Sequence, residues 1–595
     1  MTAKSVASLE QAAPHRTEKP FERLVRHCID RMVHGEASAS SGELEFGIGA
    51  LLALLAMPGA FASVLMLEKY GSLFHFLNGI TKFDAYAESL PDEYFFIVLA
   101  MVVTGAVAIW KWDALIPGRR DYANLAPLPL SSRTIFLANL SAVSMLGIGL
   151  AIDVNAASAV LFPLIVCGSE SSFRYLGIFF VTHLLAVVLA SVFSFAAVLA
   201  IMGLLMAVLP YRAFRKCSVY ARCGMMVFLM AILVTSFAMV EFVQKLPLHS
   251  RPLITLVSPV WFLALCQHVR GVADPAFASL GKVAIAGTAA AVVLALAAYG
   301  LSYRRCFAQT TEIVTNIPSG GGRISRLGFR CLDKLVLKSA FERACFRFTA
   351  KTLFRSESHA LIVGGFAGLG IVLASQTLYE AVQARSASAA HFALSSALPS
   401  PEMLSIPLIL AYFLLLGLRF SFEIPVALGA NWIFRLNVNP ETGECIPLAR
   451  KVMAVLLLPL LVLICLPVYM WRWGWMLGLS HTLIVAMLCF LLTEILLIRF
   501  RKIPFTCAAP SFKSNALVMG LVYFLGFIVF AFWTSSAERW ALANPVRFLA
   551  FVPLLGVLWL MLERYRRELT YIDRRLVFVE TPAAAVEVLD LTFRR

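Results

Sequence analysis

WDALIPGRRDYANLAPLPLSSRTIFLANL, residues Trp112–Leu140, separates two strongly apolar runs with a polar, basic and proline-broken interval. Pro117-Gly118 marks a turn that carries Arg119 and Arg120. Pro127 and Pro129 stop what precedes, and Ser131 or Ser132 is placed to cap the free amides of a new helix. Between two membrane helices such an element is either a plain turn or a handle that a soluble partner grips. The apolar runs on either side decide the fold class.

Apolar runs recur along the whole chain, each long enough to cross about 30 Å of hydrocarbon, and the fourth is overlong and expected to project beyond the bilayer. They are read at 46–67, 94–112, 134–152, 176–209, 225–244 and 280–303. After a long polar interval they resume at 360–379, 403–422, 451–471, 475–498, 516–534 and 546–562. Hydrophobic residues make up 60% of the chain and charged residues 14%, against about 25% charged in a soluble domain. With a mean hydropathy of +0.81, the expected fold is an all-α polytopic membrane protein. The segment 156–167 is expected to be a loop or a re-entrant piece. Pro58, Pro407, Pro459 and Pro467 predict local kinks rather than breaks.

A net charge of +16 would point to nucleic acid in a soluble chain. Here it is read as lysine and arginine retained beside anionic lipid, and no nucleic-acid partner is expected. Alternating intervals of the span pattern hold 40 of the 51 lysines and arginines, which orients both termini to the cytoplasm and the chain to the cell (inner) membrane. The first 45 residues are too polar for a cleavable leader. The 12 cysteines form no CxxC pair, and no zinc or disulfide framework is expected.

The chain repeats itself. Phe21–Val33 places Phe21, Leu24, Val25, Cys28, Ile29, Met32 and Val33 on one helical stripe opposite Arg23, Arg26, Asp30 and Arg31. At this length it cannot span, and it is expected to lie on the membrane surface. Phe-Glu-Arg opens it at 21–23 and recurs at 341–343, just before the seventh span. A basic loop follows the second span, and a counterpart with Trp432, Arg435, Arg450 and Lys451 follows the eighth. His183 and His481 fall at matching places in the fourth and tenth spans and are candidates to line a pathway. The division follows: 1–45, a cytoplasmic tail with the surface helix; 46–303, a six-span half; 304–358, a linker with a second surface helix; 359–562, a second six-span half; and 563–595, a cytoplasmic tail. Two six-helix halves are typical of transporters.

No catalytic, metal or nucleotide-binding motif is present: there is no GxxxxGK[ST], and Gly320-Gly321-Gly322-Arg323 reads as a hinge. Asp153, His183, Glu241, Glu423, His481 and Glu494 are the ionisable groups read inside or beside spans, too few mid-membrane carboxylates for ready ion coupling. WRWGW at 471–475 reads as an aromatic belt, and the half-apolar interval 245–279, with SPVWFLALC at 258–266, as a segment that dips into the outer leaflet.

A basic surface helix, a six-span half, the LPLSSRTIF loop and an apolar Pro-Trp-Phe loop between spans five and six together resemble the permeases of type-2 ATP-binding-cassette exporters. The resemblance implies that Phe21–Val33 is the elbow helix, that Asp113–Arg133 couples to an ATPase through Arg119, Arg120, Leu125, Leu128 and Arg133, and that Lys245–Ser279 holds re-entrant helices. It also implies separate ATPase subunits as partners, with ATP bound there and no cofactor in this chain, and an amphipathic or lipid-like substrate. The second half departs from the pattern: its outer loop 535–545 is short, and its counterpart of the coupling loop lacks LPLS. The alternatives are a 12-span secondary carrier, or a membrane scaffold or enzyme that does not transport.

Overall fold

The computed structural model describes residues 20–38, 48–71, 85–115, 131–167, 173–238, 256–272, 275–309, 337, 339–389, 399–426, 431–437, 447–498, 500, 502–507 and 516–572. Among them there is no strand. Among the described residues, eleven helices are long and apolar enough to cross a membrane. They coincide with the second to twelfth runs read from the sequence. The first run falls on an 18-residue helix without a charged residue, Ile48–Leu65.

Contacts group the chain into two compact units, Met1–Ser218 with Ser236–Val314, and Val219–Thr235 with Thr315–Arg595. The first contains α1 (Pro20–Ser38), α2 (Ile48–Leu65), α3 (Leu67–Tyr70), α4 (Ala85–Trp110), α5 (Ser132–Cys167), α6 (Phe173–Val208), α8 (Ser258–Val269) and α9 (Pro275–Gln309). Between α6 and α8 runs α7 (Tyr211–Ala238), whose middle groups with the second unit. That unit continues with α10 (Ala340–Arg355), α11 (Glu357–Ala389), α12 (Pro401–Ser421), α13 (Trp432–Asn437), α14 (Leu448–Trp473), α15 (Trp475–Leu496), α16 (516–542) and α17 (Pro545–Ile572).

In the first unit α6 is central, packing on α4, α5, α8 and α9. Its approach to α9 is close because Gly203 has no side chain: a Cβ there would lie 2.9 Å from the Ala298 carbonyl carbon. Ser302 exploits the gap and donates to the Gly203 carbonyl at 2.6 Å. Small residues at such crossings let helix backbones approach where lipid offers no hydrophobic contrast. Helix α5 starts where the sequence predicted, with Ser131 Oγ accepting from the Thr134 amide at 3.1 Å. It then runs unbroken to Cys167, so 156–167 is neither loop nor re-entrant. Val154, Ser158, Phe162 and Val166 continue one buried face at four-residue spacing. Asn155 satisfies its amide on the Ala151 carbonyl (2.7 Å) and on Ser191 (2.9 Å).

The stripe of α1 is also protein-facing. Leu24, Cys28 and Met32 are buried, with Leu24 packed on Ile135 and Ala138 of α5, while Arg23, Arg26 and Asp30 are exposed. Helix α10 behaves alike: Cys345, Phe346 and Leu353 join the core of the second unit with residues of α12, α14 and α15. Ser339 caps α10 by accepting from the Glu342 amide at 3.0 Å. The kink expected at Pro459 takes the form of a π-helical turn, Leu460–Cys465, in which the freed carbonyls find longer-range partners. Trp471 and Trp475 are exposed on either side of Gly474.

Candidate functional site

Both ends of the first unit carry buried polar clusters. At the end where α4 stops and α5 begins, Arg31 of α1 donates to the Ala114 carbonyl (3.2 Å) and to Asn139 Oδ1 (2.8 Å). Asn139 Nδ2 in turn donates to the Leu115 carbonyl (3.3 Å) and to the Tyr299 hydroxyl oxygen. Tyr299 of α9 also donates to the Leu115 carbonyl, at 3.1 Å. Three helices therefore hold the root of the 113–133 interval. Of the residues assigned there, Arg133 is exposed on the first turn of α5. Arg119, Arg120, Leu125 and Leu128 lie outside the described residues.

The counterpart in the second unit is fastened by different chemistry. Phe434 of α13 packs on Phe348 of α10 with ring centroids 5.2 Å apart, and Asn431 donates to the Thr506 carbonyl at 2.6 Å. Trp432 is exposed; the side chain of Arg435 lies outside the described residues. Arg450 and Lys451 are not in the loop but on the first turn of α14. Lys451 meets Glu342 of α10 at 2.5 Å. Arg450 meets Glu494 at 2.7 Å and Glu563 at 3.4 Å, and Arg566 meets Glu494 at 2.9 Å.

At the opposite end of the first unit, two adjacent carboxylates, Asp92 and Glu93, lie two turns into α4. Successive helical residues point about 100° apart, so Asp92 and Glu93 face different neighbours. Asp92 accepts from Lys69 at 2.7 Å and from the Tyr70 hydroxyl, both on α3. Burial, then the Asp92 charge, pushes the Tyr70 phenol up. Glu93, fully buried, accepts from Gln267 Nε2 at 3.0 Å and from the Arg270 guanidinium at the end of α8. Arg270 also donates from Nε to Thr182 Oγ1 at 2.9 Å, and its Cζ lies 3.8 Å from the Phe179 ring centroid. Burial works against the Arg270 charge, but Glu93, together with Cys266 and Cys167, outweighs it and the pKa is raised.

His183 lies next to this cluster, buried among the rings of Phe96 (5.8 Å), Phe162 (5.1 Å) and Phe179 (6.4 Å). Neither ring nitrogen has a hydrogen-bond partner. His481 differs: its Nδ1 lies 2.6 Å from Glu538 Oε1 of α16, with Tyr469 and Trp473 against its ring. The matching positions of the two histidines thus hold different environments. Glu93 and Glu538, both fully buried, were missed by sequence reasoning because each sits near a span end beside polar residues. Among the described residues no group of three or more His, Cys, Asp or Glu could hold a metal ion.

No family model, curated protein or solved structure matches this chain.

Proposed function

We propose that this chain is the membrane permease subunit of an ATP-driven exporter, powered by separate ATPase subunits and moving an amphipathic or lipid-like substrate. In this reading both termini are cytoplasmic, and ATP is bound and hydrolysed in the partner. The observation that supports it best is the fastening of the 113–133 root by Arg31, Asn139 and Tyr299. A loop that passes load from a soluble motor to the spans needs a stiff root, and this one joins a surface helix to two spans. A plain turn has no such requirement.

In this reading Arg119 and Arg120 meet acidic groups of the ATPase, with Leu125, Leu128 and Arg133 completing the contact. Truncating one partner of a buried charged contact costs about 2–5 kcal/mol, whereas a rim charge chiefly slows association. Arg119→Glu with Arg120→Glu should leave the protein inserted and monodisperse but strip away the co-purifying ATPase. Reversal at Arg574 and Arg575 should retain it. The measurement is ATPase per permease at matched expression; a loop variant that keeps its partner defeats the proposal.

One observation favours a second reading, a 12-span secondary carrier. The His481–Glu538 pair is a buried acid–base couple of the kind that proton-coupled carriers use. Accumulation of a fluorescent amphiphile by ATP-free proteoliposomes under a proton gradient would select it.

A further inference from the structure

Helix α8 is short, opens with Ser258-Pro259, and buries Val260, Phe262, Leu263, Ala264, Leu265 and Cys266. It lies closely along α9, where a Cβ on Gly281 would sit 3.2 Å from the Leu265 Cα and one on Gly287 3.3 Å from the Trp261 ring. Its end is closed by a left-handed glycine, Gly271, at φ +93°. The Gly271 amide donates to the His268 carbonyl (3.0 Å) and the Val272 amide to the Gln267 carbonyl (3.2 Å), the pairing of a Schellman cap. Arg270, the C-cap residue before that reversal, bridges Glu93 of α4 and Thr182 of α6 with its guanidinium.

We propose that Glu93 and Arg270 form a charge latch that holds α8, as a lid, against α4 and α6 at this end of the first unit. A buried ion pair is a poor source of net stability compared with apolar packing, yet losing one partner is severe because the other is left buried and uncompensated. That asymmetry suits a two-state closure: the pair is complete when α8 is seated, and both charges need water once it lifts. Gln267, one turn before the cap, is the only other side chain of α8 recorded on Glu93 among the described residues. Asp92 is not free to replace Glu93, since Lys69 and Tyr70 occupy it. Glu93 and Arg270 are positioning residues, acting through the seat of α8.

A native thiol reports the lid. Cys266 lies one turn before Arg270, fully buried, and burial followed by the Glu93 charge pushes its thiol up to about 12. Seated, it is unreactive; lifted, it becomes an ordinary cysteine. Cys489 of α15, equally buried in the second unit, reports general unfolding. Purified full-length protein in detergent is pulsed with N-ethylmaleimide at neutral pH, and both cysteines are read by mass spectrometry. Wild type should label at neither. Glu93→Gln and Arg270→Gln should each speed labelling of Cys266 at least tenfold and leave Cys489 silent, and the double variant should label no faster than either single, since it leaves no uncompensated charge. Labelling of Cys489 together with Cys266 would reduce the pair to a structural buttress. Silence at Cys266 in the single variants, or additive effects in the double, would also overturn the latch. None of these outcomes depends on an ATPase or on the exporter reading.

Discussion

Tyr70 shows how one polar side chain is made useful in an apolar protein. Its hydroxyl donates to Asp92, and burial raises the pKa of the phenol above its ordinary value of about 10. A group whose folded-state pKa is raised contributes stability that is intact below the unfolded value and is lost as the pH climbs above it. The thermal midpoint in detergent should therefore fall between about pH 10 and 11 in wild type. Tyr70→Phe should start lower, by about 1.5–3 kcal/mol for a hydrogen bond to a charged acceptor, and should lose that part of the alkaline decline. An unchanged decline in Tyr70→Phe would assign it to other groups. Asp92, with two donors from α3, follows from the same geometry, whereas nothing in the local sequence tells Asp92 from Glu93.

Helix α7 is the element whose place the sequence reading did not foresee. Its span was read as the fifth of the first half, yet Val219–Thr235 groups with the second unit. The contact is specific. Arg222 meets Glu357 of α11 at 3.1 Å, and the thiol of Cys223 lies 3.8 Å from the Ala360 carbonyl. Gly364 and Gly368, one turn apart on α11, make room for α7: a Cβ at Gly364 would lie 2.6 Å from Cys223 Sγ, and one at Gly368 2.1 Å from Val227 Cγ2. Close backbone approach over small residues is how membrane helices associate, since dispersion contacts replace the missing hydrophobic drive. Gly368→Val should force the two helices apart, costing about 1–3 kcal/mol for overpacking. Gly520→Val, on α16 with open space around it, should be neutral. Thermal midpoints of the two variants in detergent decide this; equal midpoints would mean that α7 is not packed on α11 through these glycines.

For the whole molecule, the charge distribution makes the sharpest prediction. With 40 of 51 lysines and arginines in alternating intervals, the positive-inside rule predicts both termini and residues 304–358 on one side. An impermeant thiol reagent on intact cells should reach cysteines placed at Ser250 and Ser388 but not at Ser325 or Ser511. Labelling at Ser325 from outside would reverse the orientation. Eleven of the described helices are candidate spans, and the uncharged α2 lies on the first apolar run.

Legible in the sequence alone were the apolar, membrane-like helical class, the order of the helices, the Ser131 cap, and Pro58, Pro407 and Pro459, which leave their helices unbroken. These are local properties: apolar run length, capping chemistry and proline geometry are written within a few turns of chain. Only the tertiary structure decided which buried polar groups meet. Glu93 and Arg270 are 177 residues apart, Arg31 and Asn139 are 108 apart, and His481 and Glu538 are 57 apart. In hydrocarbon a polar side chain is costly without a partner, but periodicity specifies only the face it occupies, not the helix that will stand opposite. For the same reason α1 and α10 read as membrane-surface helices yet bury their apolar stripes on α5 and on the second unit's core. An amphipathic stripe records that something apolar covers it, and packing chooses between lipid and protein.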